Sequence, residues 1–170
     1  MNNTWNETIK PNIYYILNDT YLNTLGIKWN NLISVYRFEV GGGSLWEMPQ
    51  NVYNYEIGIY QTGYEESMKI GLMYVSDYGY AASPEYWLTT MEWYSQAIDS
   101  NWIYINNLHQ WTISKNTDNI EEAFYIQWNG DILTDDTVGG AEAVRPTFYL
   151  NSDVAYISGN GTQSDPFRID

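Results

Sequence analysis

The sequence predicts an α+β fold with helices early and a mostly antiparallel sheet late, and three patterns carry that expectation. Apolar residues recur at helical spacing near the start, at Ile13, Ile16, Leu17 and Leu25. Strict alternation marks later runs, residues 69–75 (KIGLMYV) and 121–128 (EEAFYIQW). The second of these meets another strand-like run, residues 131–136 (DILTDD), at Asn129-Gly130, a dipeptide suited to a two-residue hairpin turn.

Taken in order, the chain supports this reading element by element. Pro11 suits the first turn of a helix and Gly26 its C-terminal cap, so a helix is expected over 12–25. In SVYRFEV, Tyr36, Phe38 and Val40 alternate with Val35, Arg37 and Glu39, which predicts a strand ended by Gly41-Gly42-Gly43. A further helix is open between Pro49 and Tyr60. Ile70, Leu72 and Tyr74 alternate in a predicted strand over 69–75, followed by the turn-rich stretch SDYGYAASPEYW. Leu88, Met91, Trp93 and Ala97 give a weaker helical pattern over 85–98. HQWTIS leads into the hairpin, VRPTFYL is strand-like with Pro146 restricting it to an edge or a bulge, and the tail closes with turns and a short strand. With no internal repeat and no linker-like composition shift, residues 1–170 are expected to form one domain.

Composition limits function as well as fold. A chain of 170 residues can bury about 70% of its unfolded surface and needs no metal or disulfide to be stable. Twenty-one acidic against seven basic residues give a net charge of −14, a field that repels phosphate backbones and anionic lipid. No nucleic acid partner is therefore expected. No apolar run is long enough to span a bilayer, so this segment is not expected to insert into a membrane. The absence of cysteine removes thiol nucleophiles, thiolate zinc sites and disulfides. The single histidine, His109, lies in no nucleophile-elbow context and reads as a structural hydrogen-bonding residue.

The aromatic content of 17%, with 17 Tyr and 8 Trp beside many Asn, Ser and Gly, is the mixture found in binding surfaces. Rings supply rigid contact area, and small polar groups supply adaptable hydrogen bonds. Alternation along the hairpin places Phe124, Ile126 and Ile132 on a core face and Tyr125, Gln127 and Asp131 on the opposite one. Polar loops flank it at 115–119 and 134–143. The candidate ligand-binding residues are thus Asn116, Asp118, Asn119, Tyr125, Gln127, Trp128, Asn129, Asp131, Thr134, Asp135 and Asp136, with Trp128 as the anchor. No catalytic set competes with them. Glu121, Glu122, Asp131, Asp135, Asp136 and Asp99 could in principle supply paired carboxylates for glycan hydrolysis, but adjacent acids in so acidic a chain read as solvated surface. No cofactor is expected. Calcium is the one ion whose hard-oxygen preference Asn129, Asp131, Asp135 and Asp136 would suit, although the stretch does not match an EF-hand loop.

The stations KIGLMYVSDYGYA, NWIY, QWTIS, AFYIQWNGDI, AVRPTFYLNSDV and SGNGTQSDPF, in this order, resemble a large family of gut-bacterial surface proteins. In that family a type IV prepilin-like helix often precedes a globular ectodomain. The resemblance runs from about Asn18 onward and is densest over 69–167. It implies a C-type-lectin-like, formylglycine-generating-enzyme-like fold, an extracellular or pilus-displayed location, and a variable surface near the C-terminus that binds a protein or glycan ligand. Some members are targets of diversity-generating retroelements, which enrich Asn, Tyr, Ser, Thr and Asp; Asn116, Thr117, Asp118, Asn119, Tyr125, Asn129, Asp131, Thr134, Asp135 and Asp136 fit that bias. The family's hydrophobic prepilin helix is not seen here, as expected of an excised ectodomain. Formylglycine-generating chemistry, which relies on cysteines, is not implied. The expected function is non-catalytic ligand binding; a pilin-like structural subunit and a carboxylate-dependent glycan hydrolase are the alternatives.

Overall fold

The computed structural model describes residues 10–59, 64–119, 121–135 and 142–170. Its architecture is mixed, with helical segments early and a strand meander late. The N-terminal helical stretch runs as α1 (Asn12–Tyr15), a π-turn segment (Ile16–Tyr21) and α2 (Leu22–Thr24). Gly26, at φ +82°, turns the chain where the sequence places the cap, and α3 (Gly26–Leu32) follows, which periodicity did not predict. Strand β1 (Tyr36–Val40) forms as expected.

The three-glycine run then does more than end a strand. β2 (Gly42–Gly43) lies parallel against β5 (Gln110–Asn116), with Gly42 opposite Lys115 and Gly43 opposite Asn116. A Cβ on Gly42 would fall 1.7 Å from the Lys115 carbonyl oxygen, so only glycine permits this approach. Next, α4 (Pro49–Glu56) occupies the predicted helical region, starting at a proline as first-turn chemistry favours.

Residues 69–75 depart from the expected strand. β3 (Tyr64–Met68) pairs antiparallel with β1, and β4 is only Gly71–Leu72. The Asn18 side chain explains the shortening: its Oδ1 accepts from the backbone N–H of Lys69 and Ile70, both at 3.0 Å, and its Nδ2 donates to the Ile70 carbonyl at 2.9 Å. Backbone groups that a longer strand would give to a neighbour are taken by this amide. The alternation itself is real: Ile70, Leu72 and Tyr74 pack with one core, and Met73 and Val75 with the other. At the other end, Asp77 Oδ2 accepts from the Tyr74 N–H at 2.9 Å and starts α5 (Val75–Tyr80) in a stretch expected to be turns. The weak pattern over 85–98 becomes 3-10 helix at Pro84–Tyr86 and Met91–Ser100.

β5, β6 (Ala123–Ile126) and β7 (Ile132–Asp135) form an antiparallel meander. β8 (Ala143–Val144) adds in parallel to the Gln110 end of β5, so the edge of the sheet is mixed. β9 (Pro146–Thr147) pairs with β4, the edge position that Pro146 requires. β10 (Tyr156–Ser158) and β11 (Arg168–Ile169) close the tail. Period-two alternation sends side chains to two cores on opposite faces of the meander. Phe124, Ile126 and Ile132 pack with Val52, Val75, Tyr78, Met91 and Tyr94 on one face. Ile113 packs with Leu17, Leu22, Phe38, Val40, Ile70 and Leu72 on the other, with Trp111 and Val144 at its margin. No helix among the described residues is long and apolar enough to cross a membrane.

Candidate functional site

The hairpin tip is built differently from the two-residue turn expected at Asn129-Gly130. The Gly130 N–H donates to the Gln127 carbonyl at 2.9 Å and the Gln127 N–H to the Asp131 carbonyl at 2.7 Å, which puts Trp128 and Asn129 at the centre of the turn. Gly130 follows at φ +90°, whereas Asn129 is not among the residues with positive φ. This is a type I turn closed by a glycine bulge rather than the mirror-image turn that needs two left-handed residues. The cause is tertiary. Tyr78 Oη donates to the Gly130 carbonyl at 3.1 Å, and a Cβ on Gly130 would lie 2.2 Å from Ile98 Cγ2, so the glycine is pressed against α5 and the 3-10 segment.

That docking spreads Trp128 onto the surface while holding its backbone. The Trp128 carbonyl accepts from Tyr104 Oη at 2.9 Å and from the Asn107 N–H at 3.3 Å. Its side chain is 49% exposed. Asn129 and Asp131 brace the same turn: the Asn129 amide donates to Asp131 Oδ2 at 2.8 Å, and Asp131 Oδ1 accepts from the Ser95 N–H at 2.8 Å. Two more indoles stand on the segments that make these bonds, Trp93 at 57% and Trp102 at 80% exposure, with Ile105 also exposed. Tyr104 reaches Asn106 Oδ1 at 3.2 Å. These bonds tie the hairpin tip to the 102–107 turn and to the start of the 3-10 segment, each of which carries an exposed indole.

The other sequence-selected residues divide into three groups. Asn116 does not join an exposed surface: it is 6% exposed, donates to Glu122 Oε2 at 2.7 Å and accepts from the Asp118 N–H at 3.0 Å. Around it, Asn119 donates to Glu122 Oε1 at 2.9 Å and Asp118 accepts from Ser44 Oγ at 2.6 Å, so Asp118 and Asn119 are exposed but held in a self-bonded loop. Tyr125 lies on the opposite face of the sheet from Phe124, half-buried, stacked on His109 at 5.7 Å and edge-on to Trp111 at 5.6 Å. His109 Nδ1 lies 3.7 Å from Glu142 Oε2. Thr134 pairs with Phe124 and so shares its core-facing side of β7, while Leu133 pairs with Tyr125. Gln127 is half-buried at the base of the tip. Asp135 ends β7 opposite Ala123, and Asp136 lies outside the described residues.

Of the carboxylates considered for hydrolysis, two are engaged in these bonds: Glu122 holds Asn116 and Asn119, and Asp131 holds Ser95 and Asn129. Among the described residues no group of three or more acids or histidines converges as a metal site would require. Two polar groups escaped sequence reasoning altogether. Glu56, 1% exposed, accepts from the Val75 N–H at 3.1 Å and from Ser114 Oγ; burial pushes its carboxyl up to about 8. Arg145 donates to the Ile103 carbonyl at 2.8 Å and to Gln110 Oε1 at 3.1 Å. Their partners are distant in sequence, so no local motif could reveal them. No family model, no curated protein and no solved structure matches this chain.

Proposed function

We propose that this chain is a non-catalytic, extracellular ligand-binding domain, adhesin-like and displayed at a cell surface or on a pilus. In this reading its mixed α/β architecture is of the C-type-lectin-like kind, and a protein or glycan ligand is held at the aromatic end around the hairpin tip. The observation that carries the proposal is the exposure of Trp128 on a turn whose carbonyl is fixed by Tyr104 and Asn107. Stability gains nothing from leaving an indole half in water on a turn whose backbone is fixed. A binding surface does gain, because a pre-ordered anchor loses little entropy when it is covered. Trp93 and Trp102 widen the apolar centre, and Asn106 and Asn107 supply hydrogen-bonding groups at its rim.

The test is a Trp128→Ala, Trp102→Ala double variant measured against a glycan array and a library of cell-surface proteins. Only backbone atoms of Trp128 take part in the bonds that hold the turn, so the variant is expected to fold, which circular dichroism checks. Binding should fall at least 100-fold, two anchors at about 1.5–2 kcal/mol or more each. A folded double variant with unchanged affinity for a ligand of the wild type overturns the proposal. A pilin-like subunit is the second reading, favoured by the separate apolar surface of Ile27 (82% exposed), Trp29, Tyr15 and Ile16 on the N-terminal helices. It predicts concentration-dependent self-association in sedimentation, lost in Ile27→Lys.

A further inference from the structure

Seven basic residues serve a chain with 21 acids, and a cation inside it would be expected to sit against a carboxylate. Lys10 pairs with Glu66, Arg37 with Glu65, and Arg168 with Asp165. Arg145 takes part in none of the ion pairs among the described residues. It stands between β8 and β9, half-buried, and its Nη2 donates to two neutral acceptors, the Ile103 carbonyl and Gln110 Oε1. Its Nε is buried and has no hydrogen-bond partner.

Gln110, 2% exposed, repeats the pattern. The orientation of its amide is fixed by chemistry, since a guanidinium only donates and the atom facing it must be the oxygen. The amide nitrogen is therefore the free end, and it too is buried without a partner. Two adjacent side chains thus present buried N–H donors, one of them on a cation, and nothing accepts from them. Each such donor left unsatisfied costs stability, and a guanidinium without a counter-charge costs more. Burial depresses the Arg145 pKa, with no carboxylate opposing the effect.

We propose that Arg145 and Gln110 form an anion site that receives the carboxylate group of a small ligand or of a ligand's side chain. Carboxylate is the matching chemistry. It is an acceptor-only group whose oxygens can take the buried N–H left on Arg145, at Nε, together with the Gln110 amide, both Nη2 hydrogens being already given to Ile103 and Gln110. One guanidinium balances one negative charge, and the surrounding field of −14 disfavours a dianion such as phosphate. The Arg145–Ile103 bond places the site against the turn that carries Trp102 and Tyr104, but its donors belong to Arg145 and Gln110 and none to the exposed indoles.

The test is a titration of the isotopically labelled protein with sodium formate at constant ionic strength, following the Arg145 Nε–H and Gln110 side-chain amide resonances. Phosphate and chloride provide parallel arms. Saturable shifts with formate at these two groups, at least fivefold weaker with phosphate and absent with chloride, are expected. Arg145→Lys, which keeps the charge and loses the Nε donor, should weaken formate binding at least tenfold, and so should Gln110→Leu. Shifts with every salt alike would mark ionic strength alone and overturn the proposal. Cross-relaxation of both groups to long-lived water without any response to formate would overturn it too, as would unchanged formate affinity in folded Arg145→Lys.

Discussion

Replacing Glu56 by Gln should flatten the dependence of stability on pH, and the structure supplies both sign and size. The carboxyl is buried among α4, α5 and β5, with Oε1 accepting from Ser114 Oγ and the N–H groups of Val75 and Ser76, and with Oε2 unpartnered. Among the described residues no cation acts on it; the charged and titratable groups acting on it and around it are Asp77, Tyr74 and Tyr80, none of which favours an added negative charge. Its pKa rises from 4.5 to about 8, chiefly by desolvation, so the folded protein holds this proton where the unfolded chain releases it. Below the unfolded value the group is protonated in both states and costs nothing. From there to the folded value stability falls as pH rises, and above the folded value the whole penalty is present. At about 1.4 kcal/mol per pKa unit the ceiling is on the order of 5 kcal/mol, and local relaxation or water entry reduces it to about 2–4. Gln keeps the acceptor toward Ser114 and Val75 and has no proton to lose. Urea unfolding of both proteins, followed by tryptophan fluorescence at several pH values from 5 to 8.5, should show a Glu56→Gln advantage that grows with pH. A difference between the two that stays constant across that range refutes the reasoning.

Two further changes probe how the tip and its neighbouring loop are held. Gly130→Ala meets both a left-handed backbone and Ile98 Cγ2, and should cost about 2–4 kcal/mol in urea unfolding; a loss under about 0.5 kcal/mol would mean the turn readjusts. Asn116→Ala removes the buried amide between Glu122 and the Asp118 N–H, costing about 1–3 kcal/mol. It should speed hydrogen exchange at the Asp118 amide while leaving that of the hairpin tip unchanged.

Much of the scaffold was legible in the chain because it depends on short-range periodicity. Phe124, Ile126 and Ile132 face the core as their alternation requires, and Gly26 turns the chain where the helical pattern stops. The hairpin was located by Asn129-Gly130, but its turn type was not, since the choice rests on Tyr78 and Ile98 pressing on Gly130. Asn116 looked like an outward polar residue and is buried, because β2 and the Glu122 loop close over the end of β5. Residues 69–75 alternate as a strand should, yet Asn18, about fifty residues earlier, takes their backbone groups.

By itself the sequence determined which residues are apolar, how they alternate, where glycine and proline punctuate the chain and how acidic its surface is. Those properties select a mixed α/β scaffold and give the chain its acidic field, because they act through local sterics and summed charge. Only the tertiary structure decided which polar groups meet. Glu56 finds Ser114 across 58 residues and Arg145 finds Gln110 across 35, and it holds Trp128 in water on a fixed turn. Such pairings depend on where distant segments pack, and the burial of a charge or the exposure of a ring is a property of that packing rather than of any local pattern.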